Sequence, residues 1–256
     1  MRWDDTAGAG TTSTFDHIPE EGTLHARFAT LGSCLALSGC AAIPHDTTLQ
    51  AAEIHGVWRV FLVAGTAVYL LVAGLVLWSA LAYRRRDPRT VQAAPFHTNV
   101  PLEIAWTVIP IVIMGGLFAV TYPAERHVES TVTPAAQVVD VIGFRWSWRF
   151  LYPREHVTVE GTNAAPPELV LPAGQTTEIR LSSSDVIHSF WVPSFLFKRS
   201  AIPGRENIFD FTPTKTGVYP ARCAEYCGTF HAHMSFVVRV VSQEAFARWL
   251  RERRPS

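Results

Sequence analysis

Two long runs without a single charge constrain this chain more than any other feature. Val60 to Tyr83 holds no charged residue and is dominated by Leu, Val and Ala. Roughly 20 such residues cross the hydrocarbon core of a bilayer as a helix, so a first transmembrane helix is expected over 57–83. A second uncharged run, Ile104 to Tyr122, rich in Ile, Val and Trp, gives a second span over 101–122. Pro101 suits the first turn of that helix. Pro110 falls inside it and should kink it, which a membrane helix tolerates where neighbours re-satisfy the backbone. A buried core hairpin is the competing reading, and two such runs in succession argue against it. The loop between them, 84–100, opens Arg84-Arg85-Arg86-Asp87-Pro88-Arg89. Loops rich in Lys and Arg stay cytoplasmic, so both ends of the chain are expected on the outer face of a bacterial plasma membrane.

Ahead of the first span, residues 1–27 are polar and give way to an apolar stretch from Phe28 to Cys40. That stretch is too short to cross a bilayer and suits the apolar region of a secretory signal. Its end, Leu37-Ser38-Gly39-Cys40, resembles the lipobox of bacterial lipoproteins. The resemblance implies a leader over 1–40 cleaved before Cys40 (Cys34 lost with it), lipidation of Cys40, and a short external segment over 41–56. The acidic stretch before Arg27 does not suit the start of such a signal, which points to a translation start downstream of Met1.

From Ala136 onward the pattern changes. Short apolar-alternating segments such as Val138–Ile142, Trp146–Leu151, Thr177–Leu181, Val186–Trp191, Val218–Arg222 and Ser235–Val241 are separated by turn residues, among them Pro172-Ala173-Gly174, Pro203-Gly204 and Thr216-Gly217. Strands at this spacing predict an all-β sandwich or barrel, here over 123–241. The tail, 242–256, reads as a short amphipathic helix with Ser242 as its N-cap. A formal net charge of zero, with no basic stripe, gives no footprint for nucleic acid.

The chemistry concentrates in one loop, Cys223-Ala224-Glu225-Tyr226-Cys227-Gly228-Thr229-Phe230-His231-Ala232-His233-Met234. Two thiols, an imidazole and a thioether fall at C-x3-C-x3-H-x2-M. Soft sulfur with imidazole selects copper, particularly where a weak Met ligand is at hand. A mononuclear blue-copper site would use one cysteine, not two. A disulfide between Cys223 and Cys227 is chemically open outside the cell, but leaves His231 and Met234 unexplained. Structural zinc usually shows tighter cysteine pairs, twice over, and a thiol redox motif is C-x-x-C. Two thiolates bridging two metals, with one His for each, use every residue in the pattern. His188, amid apolar residues near the end of a strand, supplies the second imidazole.

The stretch Asp185–Met234, with Lys198, Ala201-Ile202-Pro203-Gly204-Arg205 and Gly217, resembles subunit II of cytochrome c oxidase in its dinuclear copper (CuA) region. The likeness extends back through Gly143-Phe144-Arg145-Trp146-Ser147-Trp148 and Pro101–Pro110, and covers about residues 55–250. It implies a two-helix transmembrane hairpin followed by an all-β cupredoxin-like sandwich domain. By this resemblance Cys223 and Cys227 bridge both coppers, His188 and Met234 complete one, and His231 with the backbone carbonyl of Glu225 complete the other. The Glu225 side chain is implied as a ligand to Mg2+ at the interface with subunit I. Trp146 corresponds to the aromatic that receives electrons from cytochrome c, and Glu103 to a carboxylate at the mouth of a proton pathway. The partners implied are subunits I and III, cytochrome c, soluble or tethered in a supercomplex, and membrane lipid; haem and oxygen chemistry belong to subunit I.

The chain departs from the family pattern at three positions. Ser147 stands where an aromatic is usual, Arg145 replaces a common Gln, and Ser200 replaces a frequent Asp. His233 reads as a surface residue. Glu155, Glu160, Glu168, Glu178 and Asp210 are candidates for an acidic docking face, but they are scattered along the sequence. Of the rival functions, a copper-free quinol oxidase subunit would lack the cysteines, and a nitrous-oxide reductase would carry a large catalytic domain. A nitric-oxide reductase could share the spans and the dicopper site, and the partner subunit would decide it. A membrane-anchored copper-delivery protein would have no use for Glu103 and Trp146.

Overall fold

The computed structural model of the chain describes residues 47–84, 98–162 and 164–254. The leader with Cys34 and Cys40, and the loop arginines from Arg85 onward, lie outside the described residues.

Helix α1 runs Leu49–Ala82, 34 residues. Helix α2 runs Val100–Glu129, 30 residues. At 1.5 Å per residue both exceed the roughly 30 Å of a hydrocarbon core, so both continue beyond the uncharged runs. The extra turns are polar: α1 begins with Gln50, Glu53 and His55, and α2 ends with Glu125, Arg126, His127 and Glu129. Thr48 caps α1 by accepting from the Ala51 N–H at 2.9 Å. Pro101 sits in the first turn of α2, and the helix runs on through both Pro110 and Pro123. Large apolar side chains stay exposed along both helices, for example Val63, Leu70, Trp78, Ile111 and Phe118, as expected of surfaces facing lipid or partner helices.

Ten strands follow. One sheet has the order β3-β2-β1-β5-β8, formed by Val157–Glu160, Ser147–Tyr152, Gln137–Phe144, Thr177–Ser183 and Asn207–Phe211. The other has the order β4-β10-β9-β6-β7, formed by Glu168–Pro172, Ser235–Val241, Gly217–Cys223, His188–Val192 and Phe197–Ala201. Neighbours are antiparallel except β1 with β5 and β10 with β4. Alternation puts Trp148, Phe150 and Tyr152 of β2 on the same core as Phe190 of β6 and Phe236 and Val238 of β10, all buried. Aromatic rings join the two sheets: Trp148 lies 5.2 Å from Phe236 and 6.0 Å from Phe190. Helix α3, Gln243–Arg253, is capped by Ser242 and lays Trp249 against Tyr152 at 5.1 Å.

The hairpin-plus-sandwich architecture is the one the sequence implies. Strand β7 had no counterpart in the sequence reading. Lys198 and Arg199 in succession break its alternation, and as an edge strand it pairs only with β6.

The outer helix ends are tied to the sandwich. Leu49 N–H donates to Thr212 C=O at 3.1 Å and Thr214 N–H to Thr47 C=O at 2.9 Å. Asp210 of β8, only 2% exposed, accepts from Gln50 Nε2 at 3.0 Å and from Val132 N at 2.7 Å. Its carboxyl therefore anchors the start of α1 and the chain leaving α2 to one strand, which removes it from the docking candidates. Burial raises its pKa, and the two hydrogen bonds offset this only in part. The other candidate acids are also engaged: Glu155 with Gln137, Glu160 with Arg149, Glu168 with Arg239 and Glu178 with Arg180.

Candidate metal centre

Three connections meet at one end of the sandwich: the β1–β2 turn with Arg145 and Trp146, the 184–187 loop ahead of β6, and the 224–234 loop between β9 and β10. Parallel pairing of β1 with β5 brings the ends of both strands to this end, with Gly143 opposite Ser183. His188 opens β6 and Cys223 closes β9, in the register that pairs Phe190 with Cys223. The long loop is pinned at its base by Cys223 N–H to Met234 C=O at 2.8 Å and by Ala224 N–H to Ser189 C=O at 3.0 Å. A 3-10 turn over His231–His233 then presents His231 and Met234. Residues three apart eclipse in such a turn, so these two project together. His233 projects elsewhere and is exposed.

The donor atoms converge. A ring nitrogen of His188 and the sulfurs of Cys223 and Cys227 all lie within 4.8 Å of one another. Cys223 Sγ is 4.0 Å from His188 Nδ1 and 3.2 Å from the Glu225 carbonyl oxygen. Cys227 Sγ is 3.6 Å from both His231 Nδ1 and Met234 Sδ. His188, Cys223, Cys227 and Met234 are buried, and both cysteines are free thiols. A tetrahedral metal with bonds of about 2.2 Å separates its donors by about 3.6 Å, so this spacing fits metal-bound sulfur and imidazole.

Electrostatics support the same fit. Burial opposes ionisation of Cys223, yet His188 and the backbone at Glu225 and Ser189 outweigh it and bring the thiol below its ordinary value. For Cys227, burial and then the neighbouring Cys223 sulfur push the thiol up to about 12. Two adjacent buried thiolates thus need a cation between them, which a soft metal supplies.

Several neighbours hold this arrangement. Nε2 of His188 lies 2.8 Å from Asp185 Oδ1, leaving Nδ1 turned toward Cys223. Burial works against the Asp185 carboxylate, but hydrogen bonds from His188, Val186 N–H and Arg145 N–H prevail and keep its pKa low. An acid that fixes a ligating ring in this way is a regular second partner of metal sites. Asp185 had no role in the sequence reading; its signal was a carboxylate three residues before His188. Gly143 leaves space for the same ring, since a Cβ there would come within 3.0 Å of His188 Cδ2. The Trp146 indole N–H donates to the Cys227 carbonyl at 3.1 Å. Gly228, at φ +116, takes a backbone conformation that favours glycine. The Glu225 side chain is exposed at the rim, next to Tyr226, which is 80% exposed.

Glu103 lies far from this cluster, with roughly 40 Å of helix between it and the sandwich. Its Oε1 accepts from the Asn99 N–H at 3.2 Å, while Asn99 Oδ1 accepts from Leu102 N at 3.3 Å. The two side chains form a reciprocal cap on α2.

Residues 38–123 match the family model for the transmembrane domain of cytochrome c oxidase subunit II, and residues 162–241 match that for its periplasmic domain. A probable cytochrome c oxidase subunit 2 from Nocardia farcinica is 32% identical, the alignment covering 87% of this chain and 78% of the relative. One from Rickettsia bellii is 34% identical, over 77% of this chain and 78% of the relative. The chain belongs to the cytochrome c oxidase subunit II family. It is therefore a membrane protein and a subunit of a haem-copper oxidase that works with other subunits. The periplasmic domain of subunit II of the Bradyrhizobium japonicum oxidase is similar to it at 31% identity, covering 48% of this chain and 96% of that one, with a TM-score of 0.45.

Proposed function

We propose that this subunit accepts electrons from cytochrome c at a dinuclear copper centre. It passes them to the haem of subunit I, where oxygen is reduced to water with proton translocation. The observation that carries this reading is the convergence of buried His188, Cys223, Cys227 and Met234 with half-buried His231 in one cluster. Bound there, the copper pair supplies a one-electron relay whose charge is shared through thiolate bridges. Cys223 and Cys227 would hold both metals, with His188 and Met234 on one side and His231 and the Glu225 carbonyl on the other. Each sulfur lies beside one donor of each set, Cys223 by His188 and Glu225, and Cys227 by His231 and Met234, as bridging requires. The buried surround keeps water from the sulfurs and fixes ligand geometry, so little need move as the charge changes.

Around this relay, Trp146 receives the electron, supported by its direct hydrogen bond to the Cys227 carbonyl. The exposed Glu225 carboxylate, a hard oxygen donor, takes part in a Mg2+ site whose remaining ligands come from subunit I. Glu103, besides capping α2, stands at the mouth of a proton pathway. The Arg-rich loop is cytoplasmic and the sandwich periplasmic. Subunit III completes the assembly.

The test is copper content together with the electron paramagnetic resonance spectrum of the purified full-length protein in detergent. Two coppers per chain and a hyperfine pattern of one electron shared equally between them are expected. A pattern from a single copper would rule out the dinuclear relay. A copper-delivery protein would instead surrender its metal to a mild chelator. In the same preparation Asp185→Ala is expected to weaken copper retention about 10- to 100-fold, because His188 loses the partner that fixes its ring. Unchanged retention in chelator competition would show that the loop alone orients His188.

A further inference from the structure

Phe230 packs its ring edge-to-face on Trp146, with centroids 5.1 Å apart and planes at 74°. Among the described residues it is the one aromatic ring stacked on that indole. It is 42% exposed, so the pair lies at the surface directly over the metal loop. The other edge of the indole is taken by the loop backbone. Its N–H bonds the Cys227 carbonyl, and a Cβ on Gly228 would fall 3.3 Å from Nε1. On the strand side the indole packs against the edge of the sandwich core, but its immediate chain neighbours add little. Ser147, buried and small, has a hydroxyl without a hydrogen-bond partner, and the Arg145 side chain is drawn to Asp185 at 3.4 Å.

We propose that Phe230 is the positioning residue for Trp146, clamping the indole against the Cys227–Gly228 backbone. This rests on the reading of Trp146 as the residue that receives the electron. Phe230 suits the task because its own backbone is fixed: its carbonyl accepts from His233 N–H at 3.0 Å, in the turn that carries His231 and Met234. The same turn thus sets two ligands and the ring that holds the indole. The step it serves moves one electron: the donor's ferrous haem becomes ferric, the centre is reduced by one electron, and no bond breaks. Without Phe230 the indole keeps its hydrogen bond and its contact with the core edge but loses the ring that covers its outer side, so it gains freedom there and the average path lengthens.

The experiment uses the intact oxidase with Phe230→Ala, Phe230→Tyr, Trp146→Leu and the Phe230→Ala/Trp146→Leu double variant. Stopped flow measures reduction of the centre by reduced cytochrome c, and absorption of the centre is recorded in each. The metal-free chain in detergent is probed in parallel by hydroxyl-radical footprinting of Trp146. Phe230→Ala is expected to slow electron acceptance about three- to tenfold, the weight of an aromatic contact of this kind, with absorption unchanged. It should also raise Trp146 labelling in the metal-free chain. Phe230→Tyr should restore both, and Phe230→Ala should add nothing in the Trp146→Leu background. If Phe230→Ala is silent while Trp146→Leu is slow, or if the two losses multiply, the inference is overturned and the role of Trp146 stands. A wild-type rate for Trp146→Leu would remove both.

Discussion

Cys223→Ser is expected to take the copper content from two per chain to one and to reduce electron acceptance from cytochrome c at least about 100-fold. A serine hydroxyl is a hard donor that stays protonated in a buried site, so it cannot replace a soft bridging thiolate. What remains is Cys227 with His231 and Met234 at 3.6 Å each, and His188 across the pocket. One thiolate, two imidazoles and a thioether are the donor set of a mononuclear blue-copper site. The shared-electron signal should therefore give way to that of a single copper with an intense thiolate absorption. Burial, the larger reason the Cys227 thiol is pushed up, remains, but the neighbouring Cys223 charge that adds to it is gone, so the surviving sulfur ionises to a metal more easily than in the parent. Metal count, paramagnetic resonance and stopped-flow reduction by cytochrome c check the three parts together. Retention of two coppers in Cys223→Ser would show that Cys223 is not a bridge.

Much of this site was legible in the chain because its parts are local. Cys223, Cys227, His231 and Met234 lie within one loop, and their spacing survives any arrangement of the strands around them. His188 was legible only beside that loop, which needed a second imidazole, since a lone imidazole in an apolar run ordinarily packs as a core residue. The partners that orient it were not. Gly143 matters through a contact with the His188 ring that depends on the parallel pairing of β1 with β5, which no local pattern encodes, and Asp185, though only three residues from His188, is one of many acids whose aim the sequence does not show. Asp210 misled for the same reason. In sequence it is one more acid in a strand; in the fold it is buried beneath the start of α1, and its charge serves the junction. The helices were legible as spans but not in length, because apolar composition marks the membrane and polar turns carry each helix beyond it. Glu103 shows the limit of carrying roles by resemblance alone: its carboxylate also has a local task, capping the N-terminus of α2.

Phe190→Ala is expected to destabilise the sandwich by about 3–5 kcal/mol, the usual cost of deleting a buried phenylalanine. The ring is fully buried and touches both sheets: Phe236 at 4.9 Å on its own sheet, and Trp148 and Phe209, both at 6.0 Å, on the other. The neighbours are themselves large rings on sheet backbone, so they cannot collapse into the space, which places the cost in the upper part of that range. Domains of this size have about 5–15 kcal/mol in hand, so the variant should fold but melt roughly 15 °C lower. The loss also reaches the site. Phe190 is paired with Cys223 and stands two residues beyond His188, so loosening here frees two donors at once. Copper retention should fall along with stability, whereas Ile208→Ala, at an exposed position of β8, should change neither by much. Thermal unfolding of the full-length protein in detergent, followed by circular dichroism with and without copper, measures both effects. A loss below about 1 kcal/mol would mean that the two sheets hold together without this aromatic bridge, and that the ligands are fixed by their loop rather than by the core beneath it.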